Sequence, residues 1–238
     1  MDLENKTTFI SGGGKNIGRS IALNLAGSGS NIVLNGATDL DACNKTATDV
    51  EKLGVKTMVL MGNVGSSDEV RTMSEKAINH FGSIDIVINN AAIRPSKPFL
   101  EMTDSDWHNV LDIDLNSAFY TCRAFAGGML EKGWGRIVNI TGMNASHGYK
   151  GRAPVSAAKR GRWGLTKSLG KEFGASGITT NAISPGPIDT DGDHPQREHI
   201  LSMVPRVPLG RLGKPEEIAA LTGFLCSNGG AFVNGQMI

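Results

Sequence analysis

Neither sign of charge dominates this sequence. It contains 24 lysine and arginine residues against 23 aspartate and glutamate residues, which leaves a net charge of +1 over 238 residues. Proteins that bind nucleic acid or an anionic membrane carry clustered positive charge, and this sequence shows no such cluster. We therefore expect a small-molecule ligand, with neither nucleic acid nor a membrane as a partner.

Long apolar runs are also missing. Residues 1–6 carry charges where a signal peptide requires an apolar core, and no later apolar run approaches the length of a membrane span. These two absences predict a cytoplasmic protein.

Cysteine is scarce. Cys43, Cys122 and Cys226 are odd in number and lack the spacing of metal ligands. Unpaired cysteines are among the most buried residue types, so we expect inert buried thiols and no metal site.

Short β-branched runs alternate with longer segments of helical period along the whole sequence. This alternation is typical of βαβ units around a parallel sheet. It predicts an α/β fold with three layers, helix, sheet and helix, built on a Rossmann-like doubly wound parallel sheet. Seven strands are expected, near residues 7–11, 31–35, 57–61, 85–89, 136–141, 179–183 and 231–237.

The chain is expected to form one domain over residues 1–238, because no segment resembles a linker, although the length alone would also accommodate two small domains. The last expected strand stops at Ile238, which is compatible with a natural or experimental truncation. Residues 185–208 form a long interval of weak periodicity, rich in proline, aspartate and glycine. A loop of this length in a compact domain is commonly a lid or a binding loop.

A glycine-rich turn follows the first expected strand and precedes a helical segment. It reads Ser11-Gly12-Gly13-Gly14-Lys15-Asn16-Ile17-Gly18. Glycines permit a tight turn and a close approach of the backbone to a pyrophosphate, and the N-terminus of the next helix offers unpaired N–H groups. The order of strand, turn and helix favours dinucleotide binding over the alternative, an ordinary tight connection. Asn16 is of a residue type that tolerates a left-handed backbone, so the turn can form around it.

The turn resembles the Thr-Gly-x-x-x-Gly-x-Gly pattern of the short-chain dehydrogenase/reductase family, and later segments continue the resemblance in order over essentially the whole chain. Asn89-Asn90-Ala91-Ala92 is similar to the Asn-Asn-Ala-Gly at the end of that family's fourth strand. Pro185-Gly186-Pro187-Ile188-Asp189-Thr190 is similar to its Pro-Gly motif after the sixth strand. Two C-terminal segments match as well, Arg211-Leu212-Gly213-Lys214-Pro215-Glu216-Glu217-Ile218-Ala219 and Val233-Asn234-Gly235-Gln236.

The resemblance implies a nicotinamide dinucleotide cofactor and suggests which residues hold it. These are Gly12, Gly14, Lys15, Asn16, Ile17, Gly18, Asn63, Val64, Asn90, Ala91, Lys159, Pro185, Gly186, Ile188 and Thr190. Lys15 stands where members that prefer NADP(H) often carry a basic residue, and its ammonium could meet a 2′-phosphate. The second strand ends Leu34-Asn35-Gly36-Ala37-Thr38, without the carboxylate that usually holds the ribose 2′-hydroxyl of NAD. We therefore expect NADP(H), with NAD as the alternative. Asn63 resembles an adenine-binding aspartate changed to its amide, which can still accept a hydrogen bond.

The catalytic positions of the resembled family are mostly changed. That family uses a tyrosine as proton donor, a lysine four residues later, a serine on the fifth strand and an asparagine in a water relay. Aligned to those positions, this sequence has Val155 for the tyrosine, Gly142 for the serine and Asp114 for the asparagine, and keeps Lys159. A missing general acid lowers a rate by about 10²–10⁴, so carbonyl reduction by the usual mechanism should be poor.

Candidate replacements lie between Gly142 and Val155, where the resembled family walls its substrate pocket. Tyr149 or His147 could have taken over proton transfer, with Asn144 and Arg152 nearby; exposed loop side chains are the alternative. Asp114 could form an ion pair that keeps Lys159 protonated. The basic residues expected to recognise an acidic substrate, unless they are solvated loop charges, are Arg94, His194 and Arg197.

Three functions remain open. The first is a divergent NADP(H)-dependent oxidoreductase acting on a small alcohol or carbonyl compound. The second is a non-redox lyase, dehydratase or hydrolase on the same fold, and the third is a nucleotide-binding protein without catalysis. The resemblance also implies a homo-oligomer, a tetramer or a dimer, with residues 107–130 and 156–173 at the interface and Arg160, Arg162 and Trp163 facing the partner.

Overall fold

Six parallel strands form one sheet in the computed structural model, which describes residues 3–190 and 197–238. The order across the sheet is β3-β2-β1-β4-β5-β6. The strands are β1 (Thr7–Ser11), β2 (Asn31–Gly36), β3 (Thr57–Met61), β4 (Ile86–Asn89), β5 (Gly135–Ile140) and β6 (Ile178–Ile183). This order confirms the doubly wound Rossmann-like fold. From β1 the strands are added toward one edge of the sheet, as far as β3, and from β4 they are added toward the other edge, as far as β6.

The strands are joined mainly by helices: α1 (Asn16–Ala26), α2 (Leu40–Glu51), α3 (Ser67–Phe81), α4 (Asp104–Leu111), α5 (Ser117–Lys132), α6 (Asn144–His147), α7 (Ala153–Phe173), α8 (Arg197–Leu201) and α9 (Pro215–Cys226). A π-helical turn, Asp112–Asn116, connects α4 to α5. Shorter 3-10 turns occupy Phe99–Glu101, Gly174–Ser176, Val204–Arg206 and Asn228–Gly230.

Local sequence signals explain several helix ends. The Ser66 hydroxyl accepts a hydrogen bond from the Glu69 N–H at 3.3 Å and caps α3, and Gly82 ends that helix with φ of 80°. Thr103 and Asp106 form a reciprocal capping box at the start of α4. These ends fix where each helix returns the chain to the sheet.

Apolar layers cover both faces of the sheet, as expected for three layers. On one face α1, α2 and α9 contribute Ile21, Val50 and Leu225 to a buried cluster. On the other face α3 and α5 contribute Met73 and Phe125 to a second cluster. The buried sheet between them holds the carboxyl ends of its strands at one common edge.

The expected seventh strand is not formed, so the described residues form six strands. The C-terminal residues run beside β6, and the Ala182 N–H donates to the Gln236 carbonyl at 2.7 Å, yet only Met237 makes a parallel bridge. Gly235 has φ of 69° and a 3-10 turn precedes it, so extended pairing begins only after Gly235. A single bridge is too short to count as a strand.

The interval 185–208, expected to be irregular, contains α8 and the 3-10 turn Val204–Arg206. Residues 191–196, with His194, lie outside the described residues. All three cysteines are free and buried, which confirms the expectation of buried thiols. Among the described residues, no helix is both long and apolar enough to cross a membrane.

Candidate active site

A cleft opens at the carboxyl ends of the strands, beside the point where β1 and β4 diverge. This is where open α/β sheets bind ligands. It contains nine of the residues expected at the site: Ile17, Arg94, Gly142, Tyr149, Lys159, Pro185, Gly186, Ile188 and Thr190. Its remaining lining residues are Thr141, Met143, Arg152, Pro187, Ile200 and Met203.

The glycine-rich turn has the geometry that its sequence predicts. Asn16 adopts φ of 50°, so an asparagine does occupy a left-handed position here. Gly12 is also left-handed, with φ of 64°. A Cβ atom at Gly18 would overlap the Gly12 carbonyl oxygen and lie 2.8 Å from Asn90 Nδ2. Only glycine fits at residue 18, because the nearest obstacle is backbone.

The start of α1 is open toward the cleft. Lys15 is the N-cap of α1 and its side chain makes no capping hydrogen bond. The first N–H groups of α1 therefore have no acceptor from the capping side chain, and a helix N-terminus in that state suits a phosphate group. The turn thus fits the pyrophosphate of a dinucleotide.

Asn90 ties the end of β4 to the glycine turn. Its Nδ2 donates to the carbonyl oxygens of Ser11 at 3.1 Å and Gly12 at 3.0 Å. The N–H groups of Asn90 and Ala91 donate to Ser11 Oγ at 3.0 Å and 3.1 Å. These four bonds set the spacing of the two strand ends that flank the cleft.

Lys15 has a partner that the sequence did not suggest. Its ammonium forms an ion pair with Asp39, and both side chains are about half exposed. Asp39 lies three residues beyond β2 and caps α2, accepting the Ala42 N–H at 2.9 Å. The hydrogen bond from Lys15 lowers the pKa of Asp39. A carboxylate is therefore present near the end of β2, although the strand itself ends in neutral residues.

Asn63 and Val64 follow β3. Asn63 is exposed, and its Oδ1 accepts the Gly65 N–H at 2.9 Å, so part of its acceptor capacity is already used within the turn. Val64 is buried in the core.

Lys159 lies in the deepest polar part of the cleft. Its Nζ is 3.3 Å from Asp114 Oδ2 and 3.5 Å from the Ile140 carbonyl oxygen. Asp114 is wholly buried in the π-helical turn, and its Oδ1 accepts the Ile93 N–H at 2.7 Å. The expected Asp114–Lys159 ion pair is confirmed.

Asp114 raises the pKa of Lys159, as the expected ion pair implies, but burial has the larger and opposite effect. Burial lowers the pKa of Lys159 to about 7, against the opposing effect of Asp114, and the charges of Arg162 and Arg94 lower it further. Desolvation disfavours the ammonium form more strongly than one carboxylate stabilises it. Lys159 can therefore both give and take a proton near neutral pH.

Arg162 was expected to face a partner subunit, and the structure contradicts this. It is fully buried one turn after Lys159 on α7. Its Nη1 donates to the carbonyl oxygens of Asn89 at 3.0 Å and Ile140 at 3.1 Å, and its Nη2 lies 3.3 Å from Ser117 Oγ. The guanidinium thus joins the ends of β4 and β5 beneath the cleft. The sequence did offer one signal that Arg162 is buried beside Lys159: residues three apart on a helix share a face.

Gly142 and Val155 differ in their relation to the cleft. Gly142 lines the cleft and has φ of 126°, a backbone conformation that residues other than glycine rarely adopt. Val155 is fully buried in the first turn of α7 and is not among the lining residues. The side chain of Asn144 lies outside the described part of the chain.

The structure separates the two expected proton-transfer candidates. Tyr149 lines the cleft, where its hydroxyl lies 3.3 Å from Met203 Sδ and the Arg152 guanidinium lies 5.6 Å from its ring centre. His147 is exposed at the end of α6, 3.4 Å from the Met143 carbonyl oxygen, and does not line the cleft. Arg197 pairs with Asp189 at 3.3 Å outside the lining.

Comparison with known proteins agrees with this geometry. A family model described as enoyl-(acyl carrier protein) reductase matches residues 12–238. The chain is 37% identical to 3-oxoacyl-(acyl-carrier-protein) reductase FabG of Pseudomonas aeruginosa, over 100% of this chain and 96% of the relative. The chain belongs to the short-chain dehydrogenase/reductase family.

Solved structures show the same family fold. A putative short-chain alcohol dehydrogenase from Sinorhizobium meliloti is 28% identical, with a TM-score of 0.93 over 100% of this chain and 95% of that one. A putative gluconate dehydrogenase from Agrobacterium tumefaciens is 33% identical, with a TM-score of 0.92 over 100% and 94%. Short-chain dehydrogenases/reductases are oxidoreductases, and this protein is of that type.

Proposed function

We propose that this protein is a nicotinamide-dinucleotide-dependent oxidoreductase of a small alcohol or carbonyl compound. One observation carries the proposal: a single cleft connects Ile17 of the phosphate-binding turn with Lys159 and with the Pro185-Gly186 segment. A dinucleotide lying in that cleft would have its pyrophosphate at the start of α1 and its reactive ring near Lys159. When bound, such a cofactor supplies or takes up a hydride.

The residues proposed to hold the cofactor are those of the glycine turn, the β4 end and the segment after β6. Gly12 and Gly18 are proposed to shape the turn that meets the pyrophosphate, because Gly12 has φ of 64° and a Cβ atom at Gly18 would overlap the Gly12 carbonyl oxygen. Lys15 is proposed to favour NADP(H). A charge-assisted contact with a 2′-phosphate is strong, whereas solvent screens an exposed ion pair such as that with Asp39, so Lys15 can exchange one partner for the other.

Lys159 is proposed as the proton-transfer group. The aligned position of the family's tyrosine is occupied here by Val155 and that of its serine by Gly142, neither of which has a proton to give. In the reductive direction Lys159 Nζ donates a proton to the carbonyl oxygen as the carbonyl carbon gains the hydride, and the neutral amine recovers a proton from water. In the oxidative direction the neutral amine accepts the hydroxyl proton. Tyr149 is the second candidate because its hydroxyl borders the same cleft.

Asp114 and Arg162 are proposed as positioning residues for Lys159. Asp114 anchors the ammonium from one side, and Arg162 holds the Ile140 carbonyl to which Lys159 also points. A general acid works best when its pKa lies near the operating pH, and burial, opposed by Asp114 and aided by Arg162, brings the pKa of Lys159 to about 7.

The test is turnover coupled to the cofactor. Purified protein is mixed with reduced or oxidised NADP and with small ketones, oxo acids and alcohols, and both the cofactor absorbance and the organic product are followed. We expect one cofactor oxidised or reduced for each substrate converted. Product formed without cofactor change would instead indicate a lyase, dehydratase or hydrolase, and tight cofactor binding without any product would indicate a non-catalytic binding protein.

Variants assign the proton-transfer group. Lys159→Met should lower the rate by about 10²–10⁴, as loss of a general acid does. Lys167→Met is the matched control, because Lys167 is exposed two turns later on α7 and stacks on Trp163. If instead Tyr149→Phe lowers the rate by about 10²–10⁴ and Lys159→Met changes only cofactor affinity, Tyr149 is the proton-transfer group.

We also propose that the chain forms a homo-oligomer, a dimer or a tetramer, through α5 and α7. Phe119 and Leu130 on α5 are 45% and 41% exposed, which is high for large apolar side chains. A Cβ atom at Gly164 on α7 would meet nothing within 4 Å, so another helix can approach there. Sedimentation velocity at micromolar concentration should show a species larger than a monomer; a monomer would contradict the proposal.

A further inference from the structure

Lys159 combines burial with access to the cleft. Among the described residues it is the only lysine in the cleft wall, and 3% of its side chain is exposed. Removal from water disfavours the ammonium form of a lysine and favours the neutral amine. The neutral amine carries a free electron pair, which makes it a nucleophile toward a carbonyl carbon.

A second, permanent cation lies beside Lys159. Arg162 Nη1 donates to the Ile140 carbonyl oxygen at 3.1 Å, and Lys159 Nζ is 3.5 Å from the same oxygen. Two positive groups therefore converge on one neutral acceptor. Arginine does not lose its proton in proteins, so the repulsion is relieved when Lys159 becomes neutral. Desolvation and a neighbouring cation are two ways in which proteins activate a nucleophilic lysine.

Asp114 opposes this activation without cancelling it. Its Oδ2 lies 3.3 Å from Lys159 Nζ but accepts no well-directed hydrogen bond from a described residue, and its Oδ1 accepts the Ile93 N–H. Burial lowers the pKa of Lys159 most, Asp114 raises it, and the charges of Arg162 and Arg94 lower it, which leaves this pKa at about 7. Near neutral pH a substantial fraction of the protein therefore holds the amine in its nucleophilic form.

The cleft has room for a carbonyl compound near this amine. Lys159 Nζ points to the Ile140 carbonyl oxygen, and Gly142, two residues further along the chain, lines the same cleft. A Cβ atom at Gly142 would have one described neighbour within 4 Å apart from its own chain neighbours, the Pro185 carbonyl oxygen at 3.9 Å. A small aldehyde or ketone can therefore approach Lys159 past residue 142 without displacing a side chain there.

We propose that Lys159 forms an imine with small aldehydes and ketones, an activity that uses no hydride and goes beyond the proposed oxidoreductase. The nitrogen electron pair forms the bond to the carbonyl carbon while the C=O π pair moves to oxygen. Both amine protons then leave the nitrogen, the first of them to Asp114 Oδ2, and both end on that oxygen, which departs as water with the electron pair of the C–O bond. One carbonyl compound and one amine thus give one imine and one water, and Asp114 returns to its carboxylate.

Reductive trapping tests the proposal, because sodium cyanoborohydride reduces an imine to a stable secondary amine. The protein is incubated with propanal and this reductant at about pH 8, where an amine with a pKa of about 7 is mostly neutral and an ordinary lysine is mostly protonated. Mass spectrometry of peptides then measures how fast each lysine gains a propyl group. Lys159 should be labelled at least about tenfold faster than Lys167, the exposed internal reference on the same helix.

Variants connect the labelling rate to the neighbouring cation. In wild type the labelling rate of Lys159 should rise through about pH 7. Arg162→Met removes the cation, so the midpoint of this rise should shift to higher pH. Arg71→Met, which breaks an exposed ion pair with Asp68 on α3, is the control and should leave the midpoint in place. An unchanged midpoint in Arg162→Met would overturn the activating role of Arg162.

The outcomes separate this activity from the oxidoreductase. Labelling of Lys159 no faster than Lys167 overturns the imine, and this comparison within wild type needs no variant to fold. Rapid labelling of Lys159 in a protein that shows no cofactor-coupled turnover supports the imine and overturns the oxidoreductase. Cofactor-coupled turnover without the Lys159 adduct overturns the imine and leaves the oxidoreductase standing alone.

Discussion

Replacing Lys159 by methionine should remove a pH dependence from the stability of the protein. The pKa of Lys159 is lowered from 10.5 to about 7 in the folded chain. Between these values the unfolded chain binds more protons than the folded chain, so the free energy of unfolding rises with pH. Below about pH 7 the folded and the unfolded chain both carry the ammonium, and the free-energy cost of burying it is fully present. Above the pKa of the unfolded chain neither carries it, and that cost disappears.

The magnitude follows from the two pKa values. From about pH 7 to about pH 9, Lys159 alone should add about 2 kcal/mol to the free energy of unfolding. Methionine has no proton to lose, so Lys159→Met should lack this contribution. As the pH rises, the free energy of unfolding of the wild type should therefore increase relative to that of Lys159→Met.

Urea denaturation followed by circular dichroism, at several pH values over that window, measures the difference. Lys167→Met serves as the control, because Lys167 is exposed and its removal should leave the pH dependence of wild type intact. Parallel stability curves for wild type and Lys159→Met would refute the reasoning, since they would mean that burial does not alter proton binding at Lys159.

Gly18→Ala should weaken dinucleotide binding by at least about tenfold, because its Cβ would overlap a backbone carbonyl of the turn; fluorescence titration of the reduced cofactor measures this, and unchanged affinity would contradict the turn's role. Arg162→Met should raise the pKa of Lys159, since it removes a buried positive charge nearby; urea curves whose pH dependence stays in place would count against that coupling. Asp39→Asn should increase the preference for NADP(H) over NAD(H), because Lys15 then has no competing carboxylate; a reduced preference would show that Lys15 does not meet the phosphate.

The fold was predictable because its signals are local and repeated. Strand positions came from β-branched runs within one or two residues, and the glycine turn was identified with its left-handed Asn16. The prediction of a seventh strand was wrong, because composition alone does not reveal that Gly235 is left-handed and that pairing with β6 begins only after it. A strand must pair with a neighbouring strand over several residues, and the sequence of one segment does not show how far such pairing extends.

The site was less predictable because its charges meet across long sequence separations. Asp39 was overlooked since it lies beyond β2 and reaches Lys15 only because β1 and β2 pair side by side, which brings together the residues that follow the two strands. Arg162 was expected to face a partner because its helix pairs between subunits in the resembled family, yet it is buried where carbonyl oxygens of two strand ends need a donor. The pKa of Lys159 depends on that burial and could not be read from the motif.

The pH dependence of the steady-state rate tests the central claim most directly. With saturating NADPH and a carbonyl substrate, the wild-type rate should fall as the pH rises through about 7, the pKa of Lys159, because only the ammonium can donate a proton. In the oxidative direction the rate should rise through the same range. The residual rate of Lys159→Met should lack both transitions, and Tyr149→Phe should keep them. Transitions that survive in Lys159→Met and vanish in Tyr149→Phe would contradict the account.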